Sequence, residues 1–440
     1  MPKVQTYIEL FERLRSVHVH VDAQRCLVVR NRNTRCSRCA DACPSGCISV
    51  IGRENAHGQP REEDAAPTAT GKRTTANASD GGKLSINPEN CIGCGTCATA
   101  CPTEAISARK PDDRTLARQA AAALRVTGGT VAFACERITA AARGKYSPET
   151  VVSMRCIGRV GACLLVLLAA AGAKSIRLTC GNCEQCVYVS GQRAAMQACK
   201  DANAIFAAWG ICTRAQVTPK LPVTCRATGA ATYDPERRAF LQTAGAGVRD
   251  AAHDATELAI ERTFDHATDA QRTRRAVMEA GALPRQLPTH RAVLLDALAH
   301  LGQPNDVMLE TRLWGHVVLD EQRCSGCGMC ASFCPTGALT VRTGTSASTA
   351  NTWLSSRNAE KTSFDGTVLA HAPGLCLQCR TCEQLCPQHA IELSSSVFAI
   401  DIGAGTVDEH PLRAIRRDKG GPDAIRNSMA KLINSPYVTG

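Results

Sequence analysis

One cysteine spacing, written into this chain several times, constrains its fold more than any other feature. Cys91, Cys94, Cys97 and Cys101 form a C-x2-C-x2-C-x3-C run closed by Pro102. Cys324, Cys327, Cys330 and Cys334 repeat it before Pro335, and Cys376, Cys379, Cys382 and Cys386 repeat it before Pro387. The chain has 26 cysteines in 440 residues. A secreted disulfide scaffold would also be rich in cysteine. Here, however, the thiols are grouped in ligand spacing rather than scattered, and Met1 to Leu10 is mixed and polar, without the apolar stretch of a signal peptide. Zinc sites separate their ligands into two distant pairs, which this spacing does not do.

The run resembles that of bacterial-type ferredoxins, which hold two [4Fe–4S] clusters. In them three thiolates within seven residues surround one cluster, and the fourth, followed by proline, ligates the other. The resemblance implies exchanged ligand sets. In the first module these are Cys26, Cys36, Cys39 and Cys101 against Cys91, Cys94, Cys97 and Cys43. In the second they are Cys324, Cys327, Cys330 and Cys386 against Cys376, Cys379, Cys382 and Cys334. Four [4Fe–4S] clusters are expected.

The first copy is altered. Cys36, Cys39 and Cys43, before Pro44, supply three ligands, but Asn33 stands where the first cysteine should be. Internal comparison supplies the fourth. Val21-Asp-Ala-Gln-Arg-Cys26 aligns with Leu319-Asp-Glu-Gln-Arg-Cys324, so Cys26 takes the first position and residues 27–33 are an insertion. The alternative is a site that has lost a ligand and holds three irons or none. Cys47 occupies the position of Ala105, Ala338 and Ala390 in the other copies, and is expected to be a buried apolar residue rather than a ligand.

The net charge of +11 invites a nucleic-acid reading. Each oxidised cubane with four thiolates carries about −2, so four of them leave roughly +3. Aromatic residues are only 4%, leaving few platforms for stacking bases. We therefore expect no nucleic-acid partner. The longest apolar run, Val160 to Ala173, falls short of the ~20 residues of a membrane span. Thiolate-bound iron needs reducing surroundings, so the expected location is cytoplasmic.

The fold class expected is α+β and multidomain: two ferredoxin-like dicluster modules flanking a parallel α/β domain and a helical linker. Residues 1–115 form the first module, with Val17–Val21 and Lys83–Ile86 as strands and a disordered insert over 53–82. Residues 229–312 form a cysteine-free helical linker, whose segment Leu287–Leu298 has helical apolar spacing suited to packing modules together. Arg237-Arg238 lies mid-chain, where a twin-arginine signal does not act. Residues 313–400 form the second module, interrupted by a Thr- and Ser-rich loop over 342–364, and 401–440 form a basic tail.

Residues 116–228 differ. Strands Gly129–Cys135, Val151–Cys156 and Ser175–Cys180 alternate with helices over 158–172 and 188–205. That alternation implies a parallel sheet, with ligands beyond the carboxyl ends of the strands. All three strands end in cysteine, and Cys183 and Cys186 follow in the loop. We expect Cys135, Cys156, Cys180 and Cys186 to hold a [2Fe–2S] cluster, with Cys183 as the substitute, Gly158 and Gly181 allowing close approach, and Arg155 and Arg159 offsetting its charge. Cys163, Cys199, Cys212 and Cys225 are expected to be packing residues. Arg155-Cys-Ile-Gly-Arg-Val160 and the stretch Cys180–Tyr188 resemble the delta subunit of methyl-viologen-reducing hydrogenases. The resemblance implies a [2Fe–2S] cluster and docking on heterodisulfide reductase.

The chain lacks a Gly-x-Gly-x-x-Gly loop after a strand and a phosphate-binding Gly-x4-Gly-Lys-Ser/Thr loop, and its histidines are scattered, without a paired carboxylate. The expected function is an electron-transfer subunit, a polyferredoxin without catalytic activity of its own. It would serve a catalytic partner: a hydrogenase, a molybdenum or formate dehydrogenase, or a heterodisulfide-reductase-like flavoprotein. The alternatives are an oxidoreductase activity of its own and a redox sensor.

Overall fold

A computed structural model describes residues 18–22, 25–31, 33–51, 83–186, 188–226, 285–343 and 366–412. The readings of residues 53–82, 229–284 and 413–440, and of most of the 342–364 loop, lie outside these.

The first module runs β1 (Val19–Val21), α1 (Leu27–Arg30), α2 (Arg38–Asp41), β2 (Ile48–Ile51), β3 (Lys83–Ile86), α3 (Thr96–Ala100) and β4 (Ile106–Ala108). β1 pairs antiparallel with β4, and β2 with β3. Each repeat thus gives its outer strands to the other repeat, and this exchange carries the fourth cysteine across. Val19, Ile48, Leu84, Ile86 and Ile106 alternate inward from these short strands into a small core of their own. The insertion opens as α1 over Leu27–Arg30, and Leu27, Val28, Arg30 and Asn31 are buried.

The middle of the chain runs α4 (Asp113–Thr127), β5 (Thr130–Cys135), α5 (Glu136–Ala141), β6 (Val151–Met154), α6 (Ala162–Ala170), β7 (Ser175–Thr179), α7 (Val189–Ala208) and β8 (Arg214–Thr218). Asp112 caps α4 by accepting from the Thr115 amide at 2.7 Å, and Gly128 ends it at a φ of 67°. The sheet is parallel, in the order β6-β5-β7-β8. Its fourth strand, β8, was not expected. It is an edge strand in which only Ala215 is buried, so its sequence carries no apolar run. The apolar helix begins at Ala162 rather than Gly158, because Ile157–Arg159 form a 3-10 turn.

Beyond residue 284 come α8 (Thr289–Leu301), β9 (Met308–Glu310), β10 (His316–Leu319), α9 (Met329–Ser332), β11 (Leu339–Thr343), β12 (Thr367–His371), α10 (Thr381–Leu385), β13 (Ile391–Ser394), β14 (Ser396–Phe398), α11 (Ala399–Gly403) and β15 (Asp408–Leu412). β10–β13 and β11–β12 repeat the strand exchange of the first module, and β15 adds a third strand to β12. β15 and the end of α11 fall in the segment expected to be tail.

α8 buries Ala292, Val293, Leu294, Ala297 and Leu298 and packs on α6. Burying a Val or Leu side chain contributes about 1.5–3 kcal/mol. Its N-terminus reaches both modules: the Thr289 amide donates to Glu104 Oε2 at 2.7 Å, and the Gln286 amide to the Pro335 carbonyl at 2.7 Å. One apolar core runs continuously from Leu116 on α4, through α6 and α8, to Ile402 on α11. The central sheet and the second module thus share one apolar core, with α8, the segment read as packing modules together, between them. Among the described residues no helix is long and apolar enough to cross a membrane.

Candidate metal centres

All four cysteine loops end in one backbone device. The third residue after the fourth cysteine is left-handed in every copy: Gly46, Glu104, Gly337 and His389, at φ of 64°, 55°, 74° and 48°. The turn folds the next residue back onto the cysteine, where the Ala105 amide donates to Cys101 Sγ at 3.2 Å and the Ala390 amide to Cys386 Sγ at 3.3 Å. A side chain costs roughly 1–2 kcal/mol in this conformation. At Glu104 the carboxylate offsets that cost, bonding Arg25 Nη1 at 2.9 Å and the Thr289 amide, with His290 at 3.6 Å. Burial alone would raise its pKa. His290, Thr289 and Arg25 outweigh burial and hold it at about 2.

In the second module one cavity is lined by Cys324, Cys327, Cys330 and Cys386, and another by Cys334, Cys376, Cys379 and Cys382. In the first module Cys39 is pushed up by burial and by the charges of Cys101, Cys36 and Cys26. Cys97 is pushed up to about 12 by burial and by Cys94, Cys43 and Cys91. Cys26 is thus gathered with Cys36, Cys39 and Cys101, although Asn33 stands closer in sequence. Thiols gathered this closely, several of them buried, are a poor arrangement for bare cysteines. They suit cations that accept thiolate, and the donor set fits iron–sulfur clusters.

Cys47 is buried, as expected, but it also touches a ligand candidate: its Sγ is 3.4 Å from Cys43 Sγ. Hydrogen bonding from Cys47 draws the Cys43 thiol down to about 5, and the same bond pushes Cys47 up. A hydroxyl two residues beyond also faces the sulfur in three copies: Ser45, Thr103 and Thr336, at 3.6, 3.7 and 3.8 Å.

At the carboxyl edge of the parallel sheet, the Cys180 thiol is pushed up to about 12 by burial, by a bond to Cys183, and by the charges of Cys183, Cys135 and Cys156. Cys183 thus joins Cys135, Cys156 and Cys180 at this edge, and Cys186 neighbours Cys183. Asn182 shapes the loop: its Oδ1 accepts from the Glu184 amide at 3.1 Å, a turn that curls Cys183 back toward Cys180.

Two supporting roles also move. Gly181 meets only Ile138, at an ordinary distance. Gly191 on α7 is the residue that admits the Cys156 thiol, since a Cβ there would lie 2.2 Å from Cys156 Sγ. Arg155 and Arg159 reach away from the quartet into the first module. Arg155 donates to the Ile92 carbonyl, and Arg159 bonds Asp113 at 2.6 Å and packs its Cδ over Gly95. Gly158 admits Gly191 and Thr96, not a thiol. Cys163 bonds the His290 carbonyl at 2.8 Å, Cys199 and Cys225 are buried, and Cys212 is exposed.

The modules also meet each other. Arg38 Nη2 bonds the Gln378 carbonyl at 2.6 Å, and the Arg35 amide bonds Gln384 Oε1 at 2.8 Å. Arg30, from the insertion, faces Cys334 and Cys379. On the far side of Cys376, Arg291 is buried over the Trp314 ring at 4.8 Å.

The family described as 4Fe-4S dicluster domain matches residues 32–105 and 323–391. Ferredoxin Fdx8 of Sorangium cellulosum (strain So ce56) is 35% identical over 68 residues, which make up 16% of this chain and 62% of the relative. The chain thus spans less than two thirds of the length of that relative. No solved structure matches the chain significantly. With the strand exchange and the gathered thiols, these matches lead to one conclusion: the chain carries two 4Fe-4S dicluster domains of the ferredoxin type.

Proposed function

We propose that the chain is an electron relay with five iron–sulfur centres, serving a catalytic redox partner. The observation that supports the reading is that each thiol set has a neighbouring set close enough to feel its charge. Cys156 feels the charge of Cys94, Cys39 that of Cys97, Cys36 that of Cys379, and Cys382 that of Cys330. The proposed order is the Cys135 set, the Cys91 set with Cys43, the Cys26 set with Cys101, the Cys376 set with Cys334, and the Cys324 set with Cys386. In this reading the four ferredoxin-type sets hold [4Fe–4S] clusters, and Cys135, Cys156, Cys180 and Cys183 hold a [2Fe–2S] cluster. Bound clusters supply single-electron storage and transfer.

The chain's own residues set the order and shield it. Arg155 and Arg159 join the first two sets. Arg30 and Arg38 join the modules, and Arg291 backs the Cys376 set. The exposed loop around Asn182 and Glu184, which carries Cys183, is the proposed docking face for a partner of the hydrogenase, formate dehydrogenase or heterodisulfide-reductase-like class.

Anaerobic reconstitution should give about 18 irons per chain, four cubanes and one two-iron site. Fewer than about ten would defeat the proposal. Gly191→Ala should displace Cys156 and remove about two of those irons, together with the spin-half signal that persists at temperatures where cubane signals broaden away. A variant that keeps both would remove the central centre from the relay.

A further inference from the structure

The histidines that look scattered in the sequence are not scattered in the fold. His371 at the end of β12 pairs across the ladder with Asp408 at the start of β15, and His316 opens β10 in the neighbouring sheet. Three strands from two sheets thus meet with two imidazoles and a carboxylate, and one ligand atom from each lies within 4.8 Å of the others. Asp408 Oδ2 is 3.4 Å from His316 Nδ1 and 3.8 Å from His371 Nδ1. Neither contact is aligned as a hydrogen bond, and Asp408 Oδ2 is buried without a hydrogen-bond partner. His371 is 0% exposed, and both of its ring nitrogens lack hydrogen-bond partners. On the same face of β15, His410 Nε2 is also buried and unpartnered.

Buried polar atoms are almost always satisfied, because leaving one without a partner forfeits its hydration with nothing in return. Several lie close together here. A proton shared between one imidazole and the carboxylate satisfies only part of the group. A divalent cation satisfies one atom from each residue together. Ligands about 2.0 Å from a tetrahedral zinc stand about 3.3 Å apart, close to the 3.4 and 3.8 Å of the two histidine–carboxylate pairs.

We propose that His316, His371 and Asp408 form a mononuclear zinc site, separate from the iron–sulfur thiols, with the fourth position open. Two nitrogens and one carboxylate oxygen are donors of the borderline class that zinc accepts. The site pins β10 to the β12–β15 ladder. His371 also lines the cavity of Cys334, Cys376, Cys379 and Cys382, so the cation stands behind that centre.

The test uses the full chain, reconstituted with iron and sulfide, then exposed to Zn²⁺ and desalted. Elemental analysis should give about one zinc per chain, with iron unchanged. X-ray absorption at the zinc edge should show only nitrogen and oxygen neighbours near 2.0 Å, since zinc misplaced at a cysteine site gives sulfur near 2.3 Å. Asp408→Asn and His316→Ala should each lower zinc retention at least tenfold while leaving iron content unchanged. His316 is partly exposed at a strand end, so its replacement does not depend on the core re-forming. No retained zinc, a sulfur shell, or full retention in both variants would overturn the site and leave a proton-sharing histidine–aspartate cluster.

Discussion

The two dicluster modules share a motif, a strand exchange and a turn device, yet they are held in the molecule differently. The first keeps a small core of its own and meets its neighbours through charged and polar groups: Glu104, Arg35, Arg38 and the buried Arg30. The second has no separate core, because its apolar residues continue through α8 into the central sheet. Cluster binding thus fixes the pleated exchange of strands and the left-handed turn, and leaves the outward faces free to diverge.

The largest break in this comparison removes an exchanged ligand. Cys101→Ser should cost about four irons and abolish the Cys26 centre while sparing the Cys91 centre. Cys386→Ser should do the same to the Cys324 centre of the second module. Spectra showing loss of the Cys91 or Cys376 centre instead would reverse the assignment.

Next comes the junction. Arg30→Ala removes a buried charge that faces Cys334 and Cys379 and should destabilise the contact between modules by on the order of 3 kcal/mol. Denaturation followed through cluster absorbance should split into two transitions, with the first module lost first. A single unchanged transition would show that the charged junction holds nothing.

The turn position offers a matched pair. Glu104→Gln should cost about 3 kcal/mol, the value of its depressed pKa. Because the folded carboxyl is depressed, its contribution is complete above its ordinary range and is lost as pH falls toward about 2. The effect should therefore vanish when wild type and variant are compared in acid. His389→Gly, at the same backbone position in the exposed copy, should be neutral or gain up to about 1 kcal/mol. Equal losses at both positions would mean that the turn, not the ion pair, carries the energy.

The smallest effect is Cys47→Ala. Losing one hydrogen bond to the Cys43 sulfur, about 0.5–1.5 kcal/mol, should lower the potential of the Cys91 centre by about 20–60 mV with iron unchanged. A rise, or no shift, would place Cys47 outside the electronic surroundings of that centre.

Much of this was legible in the sequence, and the reasons differ by residue. Spacing and internal alignment pointed to Cys26 despite Asn33, because the repeats supply their own template, and the fold brings Cys26 near Cys39. Three parallel strands were readable from apolar runs. β8 was not, because an edge strand need bury only Ala215. That Cys183 comes beside Cys180 goes with the Asn182 turn, a signal present in the sequence but lost among three evenly spaced cysteines. The partners of Arg155 and Arg159 and the convergence of His316, His371 and Asp408 are tertiary. No local pattern shows which distant strands will meet.

The continuous core has a consequence for how this chain can be divided. Residues 227–284 lie between two stretches that share one apolar interior, in which Leu294 and Leu298 of α8 stand against α6. A peptide bond cut in that interval breaks the covalent link but removes none of the described packing. The two fragments should remain together as a non-covalent complex and should refold only when mixed. A chain truncated near residue 226 would instead expose the surface that α8 covers, and should aggregate unless the missing half is supplied in trans.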